Sequence, residues 1–216
     1  ASGCSLIGGE TAEHPGLLAP DEYDIAGATT GVVERSKILG HDRVRTGDAV
    51  IAMASSGLHS NGYSLVRHVL LNQAGWDLGR HVDDLGRTLG EELLEPTKIY
   101  ALDVLDLIGK VEVHAMSHIT GGGLANNLAR VIPNDMAAVL HRTSWTPPAI
   151  FQLVQTVGAL KQSDVDATLN MGVGMVAILP QHEVDAALGI LAARGVHSWV
   201  IGEIQASEGP GEAFLI

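Results

Sequence analysis

The run Ala49-Val50-Ile51-Ala52-Met53-Ala54, followed by Ser55-Ser56-Gly57-Leu58-His59-Ser60-Asn61-Gly62 and then by Tyr63 to Gln73, sets the architecture. Six small or apolar residues, entered from the turn signal Arg45-Thr46-Gly47-Asp48, predict a buried strand. The Ser-, Gly- and Asn-rich stretch after it predicts a loop. Beyond the loop, Leu65, Val66, Val69 and Leu70 share one helical face and Gly75 supplies a stop, so a helix is expected over 63–73.

The same alternation continues toward the C-terminus. A turn-rich segment spans Trp76 to Pro96. Thr97 is placed to cap a helix with Ile99, Leu102, Leu105 and Ile108 on one face and Gly109 at its end. Val111 to Ile119 reads as a strand, Thr120 to Gly123 as a loop, and Leu124 to Val131 as a short helix stopped before Pro133. Ala137 to His141 is a strand, and Thr146-Pro147 opens a helix that runs to Val157. Gly174 to Leu179 is a strand. Val184, Ala187, Leu188 and Leu191 mark a helix with Gly195 past its end, and Val196 to Ile204 forms the last strand. The fold class is therefore α+β, a mixed α/β layer structure. Residues 1–40 break the pattern: Ser5 to Gly9 and Ala28 to Glu34 read as strands and loops with too little surface to close a core. The expected division is a remnant of a separate strand-rich unit over 1–45 and an α/β domain over 46–216.

Composition excludes several function classes. The 216 residues carry 13 Lys and Arg against 25 Asp and Glu, a formal charge of −12. Such a surface repels phosphate polymers and anionic lipid, so no nucleic-acid or membrane partner is expected. A phosphate-bearing ligand must then be met by backbone donors, by a few basic side chains or by a bridging cation. With 46% apolar and 18% charged residues the chain has the makings of a real core. No apolar run reaches the roughly 18 residues of a membrane span, and no basic-then-apolar signal segment opens the chain. A single cysteine, Cys4, excludes an internal disulfide framework and fits a reducing cytoplasm. The first residue is Ala1 rather than Met, so a processed or truncated N-terminus is expected.

Two loops carry the candidate chemistry. Ser55 to Gly62 and His118-Ile119-Thr120-Gly121-Gly122-Gly123 both lie between a predicted strand and a predicted helix. Helix N-termini present free N–H groups with partial positive charge, and glycines let an anion reach them, so each loop is a candidate phosphate cradle. The plain alternative is a glycine-rich turn without a ligand. Neither loop has the Gly-Lys-Ser/Thr of a P-loop or dinucleotide-binding glycine spacing, and Ser55 and Ser56 lack the G-x-S-x-G of a nucleophile elbow. His59 and His118 are candidates for proton transfer or phosphate binding; the alternative is an imidazole satisfied by loop backbone. His114 and His118, on one strand, would stand about 13 Å apart, too far to share a metal. The remaining histidines are expected at the surface. Gly8-Gly9-Glu10-Thr11-Ala12-Glu13 sets carboxylates after a tight turn, suited to a hard cation or simply exposed. Asn170-Met171-Gly172-Val173-Gly174-Met175 implies close backbone approach to a ligand or a neighbouring strand. Asp83-Asp84 and Glu91-Glu92 are expected to be solvated.

Taken together these strings resemble the phosphoribosylformylglycinamidine cyclo-ligases, also called aminoimidazole ribonucleotide synthetases. The match rests on Gly8 to Glu13, Ala54 to Arg67, Leu94-Glu95-Pro96-Thr97-Lys98-Ile99-Tyr100, His118 to Gly123 and Asn170 to Met175, in the family's order and across nearly the whole chain. The resemblance implies the C-terminal domain of the synthetase-like fold with a remnant of the strand-rich N-terminal domain. It implies ATP-dependent ring closure of formylglycinamidine ribonucleotide to aminoimidazole ribonucleotide, ADP and phosphate in purine biosynthesis, with ATP and Mg2+, in the cytoplasm. His59 and His118 would be the catalytic candidates. Glu10, Thr11, Ser56, Asn61, Thr120, Gly121, Gly122, Gly123 and Asn170 would bind substrate or nucleotide, with Glu10 also near the metal. The family's N-terminal domain, with its Mg-nucleotide motifs and dimer contacts, is absent apart from residues 1–45. The full-length protein would be a homodimer and the present chain inactive alone. The alternatives are a non-catalytic ribonucleotide-binding module or a related synthetase of the same superfamily.

Overall fold

The computed structural model describes residues 1–216. In chain order its elements are β1 (Ala49–Ala54), α1 (Tyr63–Arg67, prolonged by a π-helical turn His68–Gln73), β2 (His81–Val82), β3 (Arg87–Thr88), α2 (Leu89–Leu93), α3 (Ala101–Ile108), β4 (Ala115–His118), α4 (Gly123–Ala129), β5 (Met136–Leu140), α5 (Ala149–Val157), α6 (Gln162–Asp166), β6 (Val173–Leu179), α7 (Val184–Ala193), β7 (Ser198–Ala206) and β8 (Glu212–Leu215). Six strands form one sheet in the order β4-β6-β1-β7-β5-β8. β1 lies inside it, antiparallel to β6 and to β7. Both faces of β1 are covered, which is why its sequence runs apolar instead of alternating.

Val50 and Ala52 face a core shared with Val176, Ile178, Ile201 and Ile204 of the sheet and with Leu124 and Leu128 of α4. Ile51 and Met53 face the opposite core, roofed by Leu107 of α3 and by Val184, Ala187 and Leu191 of α7. A third cluster beside the sheet joins Val66, Val69 and Leu70 to Leu89, Ile150, Phe151, Val154 and Val165. The helix expected over 63–73 is present, with Val66, Val69 and Leu70 buried as its pattern requires.

Other expectations need correction. The stripe Ile99, Leu102, Leu105 and Ile108 points outward, each between 38% and 61% exposed, while Leu107 and Tyr100 are buried. A strict three-residue step falls short of the 3.6-residue turn and drifts around the helix, so it does not define a face. The strand expected over 111–119 shortens to β4. The segment 76–96 contains the β2–β3 hairpin and α2, whose Thr88 and Glu91 form a capping box. Glu92 is not solvated: it is buried and paired with Arg87 at 2.6 Å, and Arg87 also reaches Glu95 at 2.7 Å. Neither α6 nor β8 was legible in the pattern. Ser5 to Gly9 and Ala28 to Glu34 form no strand, because no sheet lies beside them to complete their hydrogen bonds. No residue before Val44 is buried, and of residues 1–43 Leu39 alone packs, half-buried, against the core of Ile51 and Met53.

Candidate active site

The antiparallel order β4-β6-β1 brings the C-terminal ends of β1 and β4 and the start of β6 to one edge of the sheet. The loops that follow β1 and β4 therefore emerge side by side, one strand apart. Asn61 closes the gap: its Oδ1 accepts the Gly121 N–H at 3.1 Å. The two glycine-rich loops are one assembly.

His59 sits at the centre of the first loop in a left-handed conformation (φ 58°) and is 2% exposed. Its Nε2 accepts the Ser56 N–H at 3.0 Å and lies 3.5 Å from the Lys98 amide. Its Nδ1 is buried without a partner. An unmet buried donor or acceptor costs about 1–3 kcal/mol, so this atom is a conspicuous feature of the loop. Ser56 donates its hydroxyl to the Pro96 carbonyl at 2.7 Å, and Ser60 meets the Thr97 hydroxyl at 3.1 Å, so the loop is laced to residues 96–98. Tyr100 donates its hydroxyl to the Ala54 carbonyl at 2.7 Å. The rings of His59, His118 and Tyr100 form a triangle with centroids 6.2 to 6.4 Å apart. Lys98 Nζ stands 5.7 Å from the Tyr100 ring centre. Gly174 makes the triangle possible, since a Cβ there would overlap the Tyr100 hydroxyl and stand 2.6 Å from His59 Cε1.

Burial, then the neighbouring His118 and Lys98, lowers the His59 pKa from 6.5 to about 4. Burial, with Asp103 nearby, raises that of the Tyr100 hydroxyl, which stays protonated. At neutral pH His59 is uncharged. The unfolded chain would bind a proton at this histidine at pH values where the folded chain does not. Stability therefore falls as pH drops from 6.5 toward 4, with a contribution on the order of 2–3 kcal/mol. Urea titrations at pH 7 and pH 4.5 check this, and His59→Gln is expected to remove that part of the slope.

In the second loop Asn127 gathers the backbone. Its Nδ2 donates to the carbonyls of Thr120, Gly121 and Gly123 at 2.7 to 3.3 Å, and its Oδ1 accepts the Thr120 hydroxyl at 3.0 Å. With those carbonyls turned inward, the Gly122 amide (φ 98°) has no intrachain backbone acceptor. His118, at the end of β4, is exposed.

Asn170 is 1% exposed and holds the first loop from beneath. Its Nδ2 donates to the carbonyls of Gly57 at 3.0 Å and Leu58 at 3.1 Å, while its Oδ1 accepts the Gly172 N–H at 2.8 Å. Its Oδ1 also accepts the Ser55 hydroxyl at 3.3 Å, so the amide is fully engaged within the chain. Glu10 and Thr11 lie apart, exposed on an N-terminal stretch whose hollow is bounded by residues 10–26 alone. No group of three or more His, Cys, Asp or Glu side chains is placed to hold a metal.

The structure thus unites His59, His118, Ser56, Asn61 and Thr120 to Gly123, sets Asn170 behind them, and leaves Glu10 and Thr11 outside. Lys98, Tyr100 and Asn127 were missed as site residues, while the close backbone approach expected within Asn170 to Met175 is made by Gly174 against Tyr100 and His59. Pro96-Thr97-Lys98 was a usable signal, a basic residue after a helix-breaking proline in an acidic chain. His114, expected on one strand with His118, lies just before β4 and is buried, with Nδ1 2.7 Å from Asp48 and Nε2 3.2 Å from Glu112.

Comparison with known families matches residues 45–213 to "AIR synthase related protein, C-terminal domain". The phosphoribosylformylglycinamidine cyclo-ligase of Anaeromyxobacter sp. (strain Fw109-5) is 51% identical over 213 residues, 98% of this chain and 61% of its own length. That of Brevibacillus brevis is 50% identical over 207 residues, 96% of this chain and 60% of its own length. A Streptomyces fradiae protein provisionally named as the same enzyme is 62% identical over 161 residues, 74% of this chain and 88% of its own length. The chain spans about three fifths of the two longer relatives. Among solved structures, thiamine-monophosphate kinase from Stenotrophomonas maltophilia K279a superposes with a TM-score of 0.58 at 20% identity, over 85% of this chain and 54% of the kinase, which supports the fold. On the family match and the identity to these relatives, the chain belongs to the phosphoribosylformylglycinamidine cyclo-ligase family, and its residues 45–213 are the C-terminal domain.

Proposed function

We propose that this chain supplies the C-terminal half of a site that closes formylglycinamidine ribonucleotide to aminoimidazole ribonucleotide with ATP, releasing ADP and phosphate. The observation that carries the reading is the Asn61–Gly121 bond, which makes one polar edge out of two anion-suited loops in a protein of charge −12. Transfer of the γ-phosphoryl to the amide oxygen turns a poor leaving group into a good one. The amidine nitrogen then attacks the same carbon, phosphate departs, and the nitrogen loses a proton as the ring closes. Both reacting groups belong to one molecule, so holding it in a bent form supplies most of what the protein must add. In this chain Ser56, Asn61, Thr120 and the glycines 121–123 form the polar edge, the Gly122 amide offers a donor, and Asn170 and Asn127 hold the two loops in shape.

ATP and Mg2+ belong to the reading, and Mg2+ commonly travels with nucleotide phosphates. Glu10 and Thr11, as part of an N-terminal remnant over 1–45, would meet the nucleotide only with further chain around them. The homodimer and the cytoplasmic setting are likewise properties proposed for the longer protein. The alternative of a binding module is favoured by one fact: no residue before Val44 is buried.

Calorimetry with formylglycinamidine ribonucleotide, followed by an ATP-dependent cyclisation assay on the 216-residue chain, tests the reading. Binding of the ribonucleotide without turnover is expected. Absence of binding would sink the assignment of the polar edge, and appreciable turnover would refute the need for the rest of the longer relatives.

A further inference from the structure

A backbone N–H can only donate, so the atom that receives it must carry a lone pair. The Ser56 amide points at His59 Nε2 from 3.0 Å, and the Lys98 amide faces the same atom from 3.5 Å. Nε2 is therefore unprotonated, and in a neutral imidazole the hydrogen resides on Nδ1. Rotating the ring by 180° would place Cε1 against the Ser56 amide and strand that donor, so the ring orientation is fixed by the same bond. Nδ1 is buried and has no hydrogen-bond partner. His118, by contrast, is exposed at the end of β4, its ring 6.4 Å from that of His59 and nearly parallel to it.

We infer that His59 is a positioning residue, a neutral imidazole locked as the Nδ1–H tautomer that ties the 55–61 loop to residues 96–98, and that protons exchanged with a ligand at this edge pass through His118. A second proton on His59 could only go to Nε2, and it would expel the Ser56 amide and loosen the loop. The groups that surround His59 reinforce this. His118 of β4 and Lys98 before α3 oppose a positive charge, the Tyr100 hydroxyl is engaged with Ala54, and Glu92 of α2, beside Gly57, is committed to Arg87. The inference deepens the proposed function by dividing the two histidines between holding and proton transfer. The tautomer stands on the loop geometry and does not depend on which reaction the site performs.

Nitrogen-15 NMR of the histidine-labelled 216-residue chain reads the tautomer directly, with peaks assigned through His59→Gln and His118→Gln. The expected result is an unprotonated Nε2 and a protonated Nδ1 on His59, unchanged from neutral pH down to mildly acidic pH. An Nε2–H signal, or titration of His59 in that interval, would overturn the inference. His59→Gln offers an amide oxygen where Nε2 stood, so Ser56 amide exchange is expected to stay near the parent rate. His59→Leu removes the acceptor and should speed it roughly tenfold. Equal acceleration in both variants would contradict the acceptor role. Should the leucine variant fail to fold, the NMR arm decides alone. Carbethoxylation mapped by mass spectrometry should mark His118 and spare His59; comparable marking of His59 would refute the assignment of proton exchange to His118. A chain with this tautomer that binds no ribonucleotide would refute the proposed function while leaving the tautomer intact.

Discussion

Gly123→Ala is expected to destabilise the chain by about 3 kcal/mol or more, lowering Tm by roughly 6–12 °C. Gly123 begins α4 at φ 74°, a conformation that an L side chain adopts only under strain. The added methyl would also fall within the van der Waals envelope of the Asp166 carbonyl oxygen at the end of α6. That oxygen is backbone and cannot swing aside, and Asp166 is pinned by its ion pair with Arg142. Relief therefore requires α4 to move away from α6, and α4 carries the Thr120–Gly123 loop and Leu124 and Leu128 of the core. Thermal denaturation followed by circular dichroism measures the loss. A change below about 1 kcal/mol would show that the α4–α6 contact is looser than described.

Asn170→Ala should cost about 2–4 kcal/mol, because it leaves two buried backbone groups without partners at once, the Leu58 carbonyl and the Gly172 amide, and takes from the Gly57 carbonyl one of its two donors, the Ser55 hydroxyl remaining. The lost volume adds a cavity term. Asn170→Asp keeps the shape and the acceptor for Gly172 but gives up both donors and places a carboxylate at a fully buried position. It is expected to be at least as damaging. Urea unfolding of the parent and both variants checks the ranking. An aspartate variant as stable as the parent would remove Asn170 from its role beneath the first loop.

The residues that made the fold legible are those whose environment is local or symmetric. Ala49 to Ala54 reads correctly because a strand buried on both faces needs nothing but apolar side chains. Tyr63 to Gln73 reads correctly because its buried residues repeat with the helix. The stripe from Ile99 to Ile108 misled because a strict three-residue step drifts around the helix instead of holding one face. Glu92 misled because its partner, Arg87, comes from a hairpin that the turn-rich text did not disclose. The site shows the same division. The Ser-Gly-Leu-His-Ser-Asn-Gly and Thr-Gly-Gly-Gly strings advertised themselves by composition. Their convergence through Asn61 and Gly121 depends on strand order, which no local pattern states. Tyr100 and Asn127 stayed hidden because one acts on the site through Ala54 and the other through three carbonyls, and neither belongs to either string.

The neighbours of β1 in the sheet come from far along the polypeptide: Ala49 is paired with Leu179 on one side and Glu203 on the other. A ribosome making this chain would extrude this apolar hexapeptide long before either companion exists. Until then the nascent segment has only chaperones or other copies of itself to shelter it. Pairings of such long sequence separation are slow to form and prone to aggregation while they wait. Yield on overexpression should therefore respond more to translation speed and chaperone supply than to any change in the polar rim.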